Sequence, residues 1–97
     1  MEPKLNVIKQ NKEIILKLAQ KYGASNIRIF GSISRGEEHK NSDLDLLVDF
    51  DKDRTLFDMV GLKLELEELL GFKVDIATEK SLHNLIADQV KREAIQL

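Results

Sequence analysis

Ile27-Arg28-Ile29-Phe30-Gly31-Ser32-Ile33-Ser34-Arg35-Gly36, a polar run, then Asn41-Ser42-Asp43-Leu44-Asp45-Leu46-Leu47-Val48-Asp49-Phe50: this stretch decides how the 97-residue chain is organised. Ile27–Phe30 is short and β-branched, so it reads as a strand. Gly31-Ser32 ends that strand, and Ser34–Glu38 reads as a short helix after the turn. Glu37–Asn41 is hydrophilic and reads as an exposed, mobile loop. Leu44–Phe50 is almost continuously apolar, the pattern of a strand buried on both faces. Two acids, Asp43 and Asp45, open this second strand. Residues two apart on a strand point to the same face. Such a pair is poor material for a core and good material for holding a divalent cation beside a phosphate.

Upstream, Val7, Ile8, Ile14, Ile15, Leu18, Ala19 and Tyr22 gather on one helical arc, with Lys9, Lys12, Lys17 and Lys21 mostly off it. The spacing predicts one helix over Leu5–Tyr22, entered after Pro3 and stopped at Gly23. Downstream, Asp51–Arg54 reads as a turn, and Thr55 caps a helix over Leu56–Leu70 that Gly71 closes. Its apolar residues form two stripes. Met59, Leu62, Leu66, Leu69 and Leu70 suffice to dock on a sheet; Phe57, Val60 and Leu64 form a second stripe, read as core too, with an exposed partner patch as the alternative. Phe72–Ala77 reads as a third strand, with Val74 and Ile76 pointing one way and Lys73, Asp75 and Ala77 the other. Ser81 or Asn84 starts a last helix, Leu85–Ile95. This order predicts one α+β domain over residues 1–97, with α/β-like character: a small mixed sheet of three strands flanked by helices.

The bulk numbers narrow the function. A formal net charge of −2 gives no overall basic surface for nucleic acid, and no basic stripe compensates for it. With no cysteine, disulfides and thiolate metal sites are excluded, which fits a reducing compartment. No stretch approaches the roughly 20 apolar residues of a membrane span, and the N-terminus leads into no signal-peptide run. The expectation is a cytoplasmic protein that binds neither membrane nor nucleic acid directly.

Asp75 stands in the middle of another apolar strand. If the two strands are neighbours, Asp43, Asp45 and Asp75 converge, and like charges that close must take up protons or share a cation. Taken one at a time, each acid has a plainer reading as a loop cap or a solvated strand edge. Oxygen ligands without His or Cys favour Mg²⁺, or Mn²⁺, over Zn²⁺, and three carboxylates can hold two such ions. Gly31 permits close approach of a ligand to the backbone, Ser32 offers a hydroxyl, and a following helix offers free N–H groups to an anion. Arg35 either reaches a phosphate oxygen or forms a structural ion pair with an acid such as Asp49. Gly36 reads as a helix stop, His39 as a solvated loop residue, His83 as a surface or cap residue, and Glu65–Glu68 as a solvated face.

Gly31-Ser32, ten residues, then Asp43-Leu44-Asp45 resembles the signature of the nucleotidyltransferase superfamily that includes DNA polymerase beta. The run Gly-Ser-x-x-Arg-Gly with Ser-Asp-Leu-Asp-Leu-Leu-Val-Asp-Phe is similar to its smallest branch, the MNT-domain proteins. Lys73-Val74-Asp75-Ile76 falls where that branch carries its third carboxylate. The resemblance implies that Gly31 and Ser32 hold the nucleotide's terminal phosphates and that Asp43, Asp45 and Asp75 bind metal; Arg35 joins the nucleotide-binding candidates by its place after the turn. The resemblance also implies that Asp75 accepts the proton of the attacking hydroxyl. The implied reaction is attack on the α-phosphate of ATP with release of pyrophosphate. The implied role is an antitoxin that transfers AMP to a hydroxyl, expected to be a tyrosine, of a HEPN-type RNase toxin in a hetero-oligomer. Two other readings remain open: a module that neutralises its partner by covering it, and a subunit of a small-molecule nucleotidyltransferase.

Overall fold

The computed structural model of the chain describes residues 3–37, 43–82 and 84–97. His39 and His83 lie outside the described residues, as do Ser42 and most of the predicted polar loop. The elements are α1 (Lys4–Gln10), α2 (Lys12–Lys21), β1 (Ala24–Phe30), β2 (Leu44–Phe50), α3 (Leu56–Leu70), β3 (Val74–Ala77), a 3₁₀ turn (Glu79–Ser81), α4 (Asn84–Glu93) and β4 (Ile95–Gln96). The sheet order is β3-β2-β1-β4. β1 is antiparallel to β2 and to β4, and β2 is parallel to β3 across the α3 crossover. The α+β class and the mixed sheet agree with the sequence reading; the strand count does not. The end of the predicted last helix is instead β4, where Ile95 pairs with Ile29. A β-branched residue after Ala94 finds a free sheet edge there, and pairing satisfies its backbone.

Three other expectations are corrected. The first helix is two, because Asn11 closes α1 and opens α2 at φ −102°. Its side-chain Nδ2 donates to the Val7 carbonyl at 2.8 Å, beside its own backbone N–H at 3.2 Å, so side chain and backbone of Asn11 both close the end of α1. Ile8, Ile15 and Ala19 are buried as the arc predicts, whereas Ile14 lies at its edge and is exposed. Ser34 opens no helix: Ser32–Gly36 is a turn, held by Arg35 N–H to Gly31 O, Gly36 N–H to Ile33 O and Glu37 N–H to Ser32 O. Of the two expected starts of the last helix, Asn84 is the one that opens α4; Ser81 belongs to the 3₁₀ turn, where it exchanges hydrogen bonds with Thr78.

The third correction concerns α3. Thr55 Oγ1 accepts from Phe57 N–H, Asp58 accepts from Thr55 N–H at 2.9 Å, and Gly71 closes the helix in the left-handed region, all as the sequence predicts. Leu62, Leu66 and Leu70 are buried. The second stripe is not core: Phe57 is 88% exposed, Leu64 58% and Val60 43%. One sheet gives a helix one surface to bury, and the first stripe fills it. The Glu67 carboxylate, bonded by Lys63 at 2.7 Å, also accepts the N–H of Val74 at 2.9 Å and so ties α3 to the first residue of β3.

Alternation along β2 separates two faces. Leu44, Leu46 and Val48 enter the core with Ile27, Ile29, Leu62, Leu66 and Val74. Asp45, Leu47 and Asp49 fall on the other face by the same alternation.

Candidate nucleotide and metal site

β1 ends at Phe30, which lies opposite Asp45 in the register. On the far side of β2, Asp45 is the register partner of Asp75. Residues opposite each other on neighbouring strands share a face, so Phe30, Asp45 and Asp75 form a row across the sheet. Asp43 stands two positions before Asp45, at the entrance of β2. The strands carrying Asp45 and Asp75 are neighbours, as the convergence of the three acids requires.

The acids differ in environment. Asp45 is half-buried, and its carboxyl is raised above its ordinary value, first by burial and then by the charges of Asp75 and Asp43, with Arg35 opposing. Asp75 is exposed. Gly31 sits directly against Asp45, at φ +77°. A Cβ there would overlap Asp45 Oδ2 and stand 3.2 Å from its Cγ, so only glycine lets turn and carboxylate share this space. Ser34 Oγ donates to Gly31 O at 2.8 Å and holds the turn. Among the described residues, no backbone acceptor takes the N–H of Ser32, Ile33 or Ser34. These N–H groups belong to a turn and not to a helix N-terminus.

Arg35 lies beside this turn, and its ion pairs are with Glu37 at 3.0 Å and Glu93 of α4 at 3.2 Å. Arg35 is thus ion-paired, but not with Asp49, the acid given as an example of such a partner; Asp49 takes Arg28 at 3.0 Å, and Arg28 also holds Glu79 at 3.2 Å. Sequence reasoning missed Glu93 and Gln89. Glu93 accepts from Gln89 Nε2 at 3.1 Å and from Arg35, and these two bonds hold its carboxyl below the ordinary value. Their helical spacing gave no signal, because nothing in the sequence places α4 beside the turn. A cleft of about 210 Å³ lies there, walled by Phe30, Ile86 and Val90 and reaching Gly31 and Arg35. A second cleft, about 450 Å³, lies between Val48–Lys52 and Thr78–Lys80, away from the strand end that carries Asp43 and Asp45.

The donor set is all carboxylate, which suits a hard cation. Among the described residues, no three acidic or imidazole side chains enclose an ion as they stand. The close approach of the Asp45 carboxylate to Gly31, which a side chain at position 31 would prevent, sets carboxylate and turn side by side, and that is the observation that fits a ligand shared by the two.

The sequence model described as nucleotidyltransferase domain matches residues 11–97. The chain is 40% identical over 79 residues to the protein adenylyltransferase MntA of Thermococcus cleftensis, covering 81% of this chain and 80% of that one. Among solved structures, a protein described as a minimal nucleotidyltransferase superposes with a TM-score of 0.86 at 48% identity, covering 96% of this chain and 95% of that one. A toxin–antitoxin crystal structure with AMP-PNP superposes with a TM-score of 0.73 at 28% identity, covering 89% of this chain and 71% of that one.

Proposed function

This chain belongs to the nucleotidyltransferase domain family, and from that premise we propose that it is an antitoxin that transfers AMP from ATP to a hydroxyl, a tyrosine by preference, of a HEPN-type toxin. The observation that carries this reading is the row made by Asp45 and Asp75 beside the Gly31-Ser32 turn. The likeness to MntA and to a toxin–antitoxin structure with AMP-PNP supports the partner and the nucleotide.

The residues divide the work. Gly31 and Ser32 bind the terminal phosphates through backbone N–H groups and the Ser32 hydroxyl. Arg35 adds positive charge at the same turn once a phosphate competes with Glu37 and Glu93 for it. Asp43, Asp45 and Asp75 would hold Mg²⁺, as one ion or two, which when bound offsets triphosphate charge and lowers the pKa of the attacking hydroxyl. Asp75, the exposed acid of the row, accepts the hydroxyl proton. The acceptor oxygen then bonds to the α-phosphorus, the bond to the bridging oxygen breaks, and pyrophosphate leaves with the electron pair. The acceptor comes from the partner, in a hetero-oligomer.

The test is transfer itself. Incubating the protein with its toxin, Mg²⁺ and labelled ATP should add AMP to the toxin. Asp43→Asn with Asp45→Asn should abolish transfer while the complex still forms. An intact complex without transfer by the unaltered protein would sink the proposal.

A second reading has one observation in its favour. The outward face of α3 carries Leu56, Phe57, Val60 and Leu64 exposed, an apolar strip suited to covering a partner. If the double asparagine variant neutralises the toxin as well as the original, covering and not transfer is the mechanism.

A further inference from the structure

Asp45 divides the site face of the sheet into two sides. Asp75 lies on the β3 side, and Phe30 lies on the β1 side with the cleft beside it. In the transfer reading, the proton passes to Asp75, so the acceptor approaches over β3. The β1 side is then left for the nucleotide, whose phosphates that reading assigns to Gly31 and Ser32. The cleft there holds about 210 Å³. That is below the roughly 300–1,000 Å³ of pockets that take a whole drug-sized ligand, and it suits one planar base.

The α4 wall of this cleft has a regular design. Ile86, Gln89, Val90 and Glu93 recur at helical spacing on one face. Val90 is buried, and Ile86 is 46% exposed at the mouth of the cleft. Phe30 supplies an aromatic surface from the sheet. Glu93 takes the Arg35 guanidinium on one oxygen and Gln89 Nε2 on the other. A carboxylate can only accept, so it turns the amide nitrogen of Gln89 toward itself. One N–H and the carbonyl oxygen of Gln89 stay available. A glutamine amide pairs bidentately with adenine, donating to N7 and accepting from the N6 amino group. Guanine presents an acceptor, O6, where adenine presents that amino group, so the pair loses one bond.

We propose that the cleft between the end of β1 and α4 binds the adenine base of the nucleotide, and that Gln89 is the residue that selects it. The proposal rests on the nucleotidyl-transfer reading above and adds to it where the base lies and which residue selects it. Glu93 is a positioning residue that orients Gln89 and tethers Arg35 at the same time.

The test measures binding of AMP-PNP, of the corresponding guanine analogue and of inorganic triphosphate by calorimetry in Mg²⁺. It compares the unaltered protein with Ile86→Arg and Gln89→Leu, with thermal melts run beside them to confirm folding. Ile86→Arg fills the cleft from an exposed position. It should weaken AMP-PNP about tenfold or more and leave inorganic triphosphate within about twofold. Gln89→Leu should erase an adenine-over-guanine preference of about fivefold or greater, the lower end for one bidentate base contact. Unchanged AMP-PNP binding in Ile86→Arg overturns the proposal. Unchanged binding combined with lost transfer to the toxin does the same, and assigns the cleft to the acceptor. Equal affinity of the unaltered protein for AMP-PNP and inorganic triphosphate overturns the base site alone and leaves the transfer reading standing. Failure to bind either compound overturns both.

Discussion

The two faces of β2 have the same backbone and opposite purposes. On one, Leu44, Leu46 and Val48 are buried against α-helices and neighbouring strands. On the other, Asp45 is held half-buried beside Asp75 and Asp43, at a cost in charge repulsion and lost hydration. The first face stabilises the fold. At Asp45 the second works against it, because burial first, and then the charges of Asp75 and Asp43, raise that carboxyl above its ordinary value, whereas Leu47 on the same face is buried. The comparison teaches that stability and activity should separate by face, even between adjacent residues of one strand.

The largest effect should come from the core face. Leu62 of α3 is fully buried against it. Leu62→Ala should cost about 2–5 kcal/mol in urea denaturation, from lost burial and the cavity left behind. A loss under about 1 kcal/mol would mean that the helix layer is not packed on the sheet as described.

A smaller effect of opposite sign is expected on the other face. Asp45 has a folded-state carboxyl raised above its ordinary value of 3.8. The folded state therefore binds its proton more tightly than the unfolded state does. Its contribution to stability is fully present below that ordinary value and is lost as pH rises through the folded-state value. Asp45→Asn removes this dependence. Melting curves from about pH 4 to pH 7 should show the variant gaining on the original protein as pH rises. A variant that loses ground over that range would break the comparison, because Asp45 would then be a stabilising residue.

The smallest effect should come from neither face. Phe57 on the outside of α3 is 88% exposed, so Phe57→Ser should change stability by no more than about 0.5 kcal/mol. The sharper readout is pull-down of the toxin, which this substitution should weaken if the strip is a docking surface. A substantial drop in melting temperature would instead show the strip to be packed.

Much of this was legible in the chain. Thr55 and Gly71 mark both ends of α3 because caps and left-handed stops are local chemistry. β2 was legible from its apolar run, and the Asp43–Asp45 pair from the period of a strand. The illegible parts are those set by distant residues. β4 exists because β1 has an edge to offer it, and two residues carry no pattern of their own. The outer stripe of α3 looked like core because apolar spacing reports a face without saying whether another layer covers it. Asn11 split a helix whose arc continues across the break.

The sequence by itself determined the local elements of the site: a Gly-Ser turn after a strand, two acids at strand spacing, and a third acid in a later strand. Periodicity and backbone conformational preference act over a few residues, so a few residues suffice to reveal them. The tertiary structure alone decided which strands are neighbours, and so set Asp75 beside Asp45. It also brought α4, about 60 positions after the turn by count, close enough for Glu93 to hold Arg35. Those contacts depend on how the sheet closes and which surfaces its helices cover, a property of the whole packed chain that no short window contains.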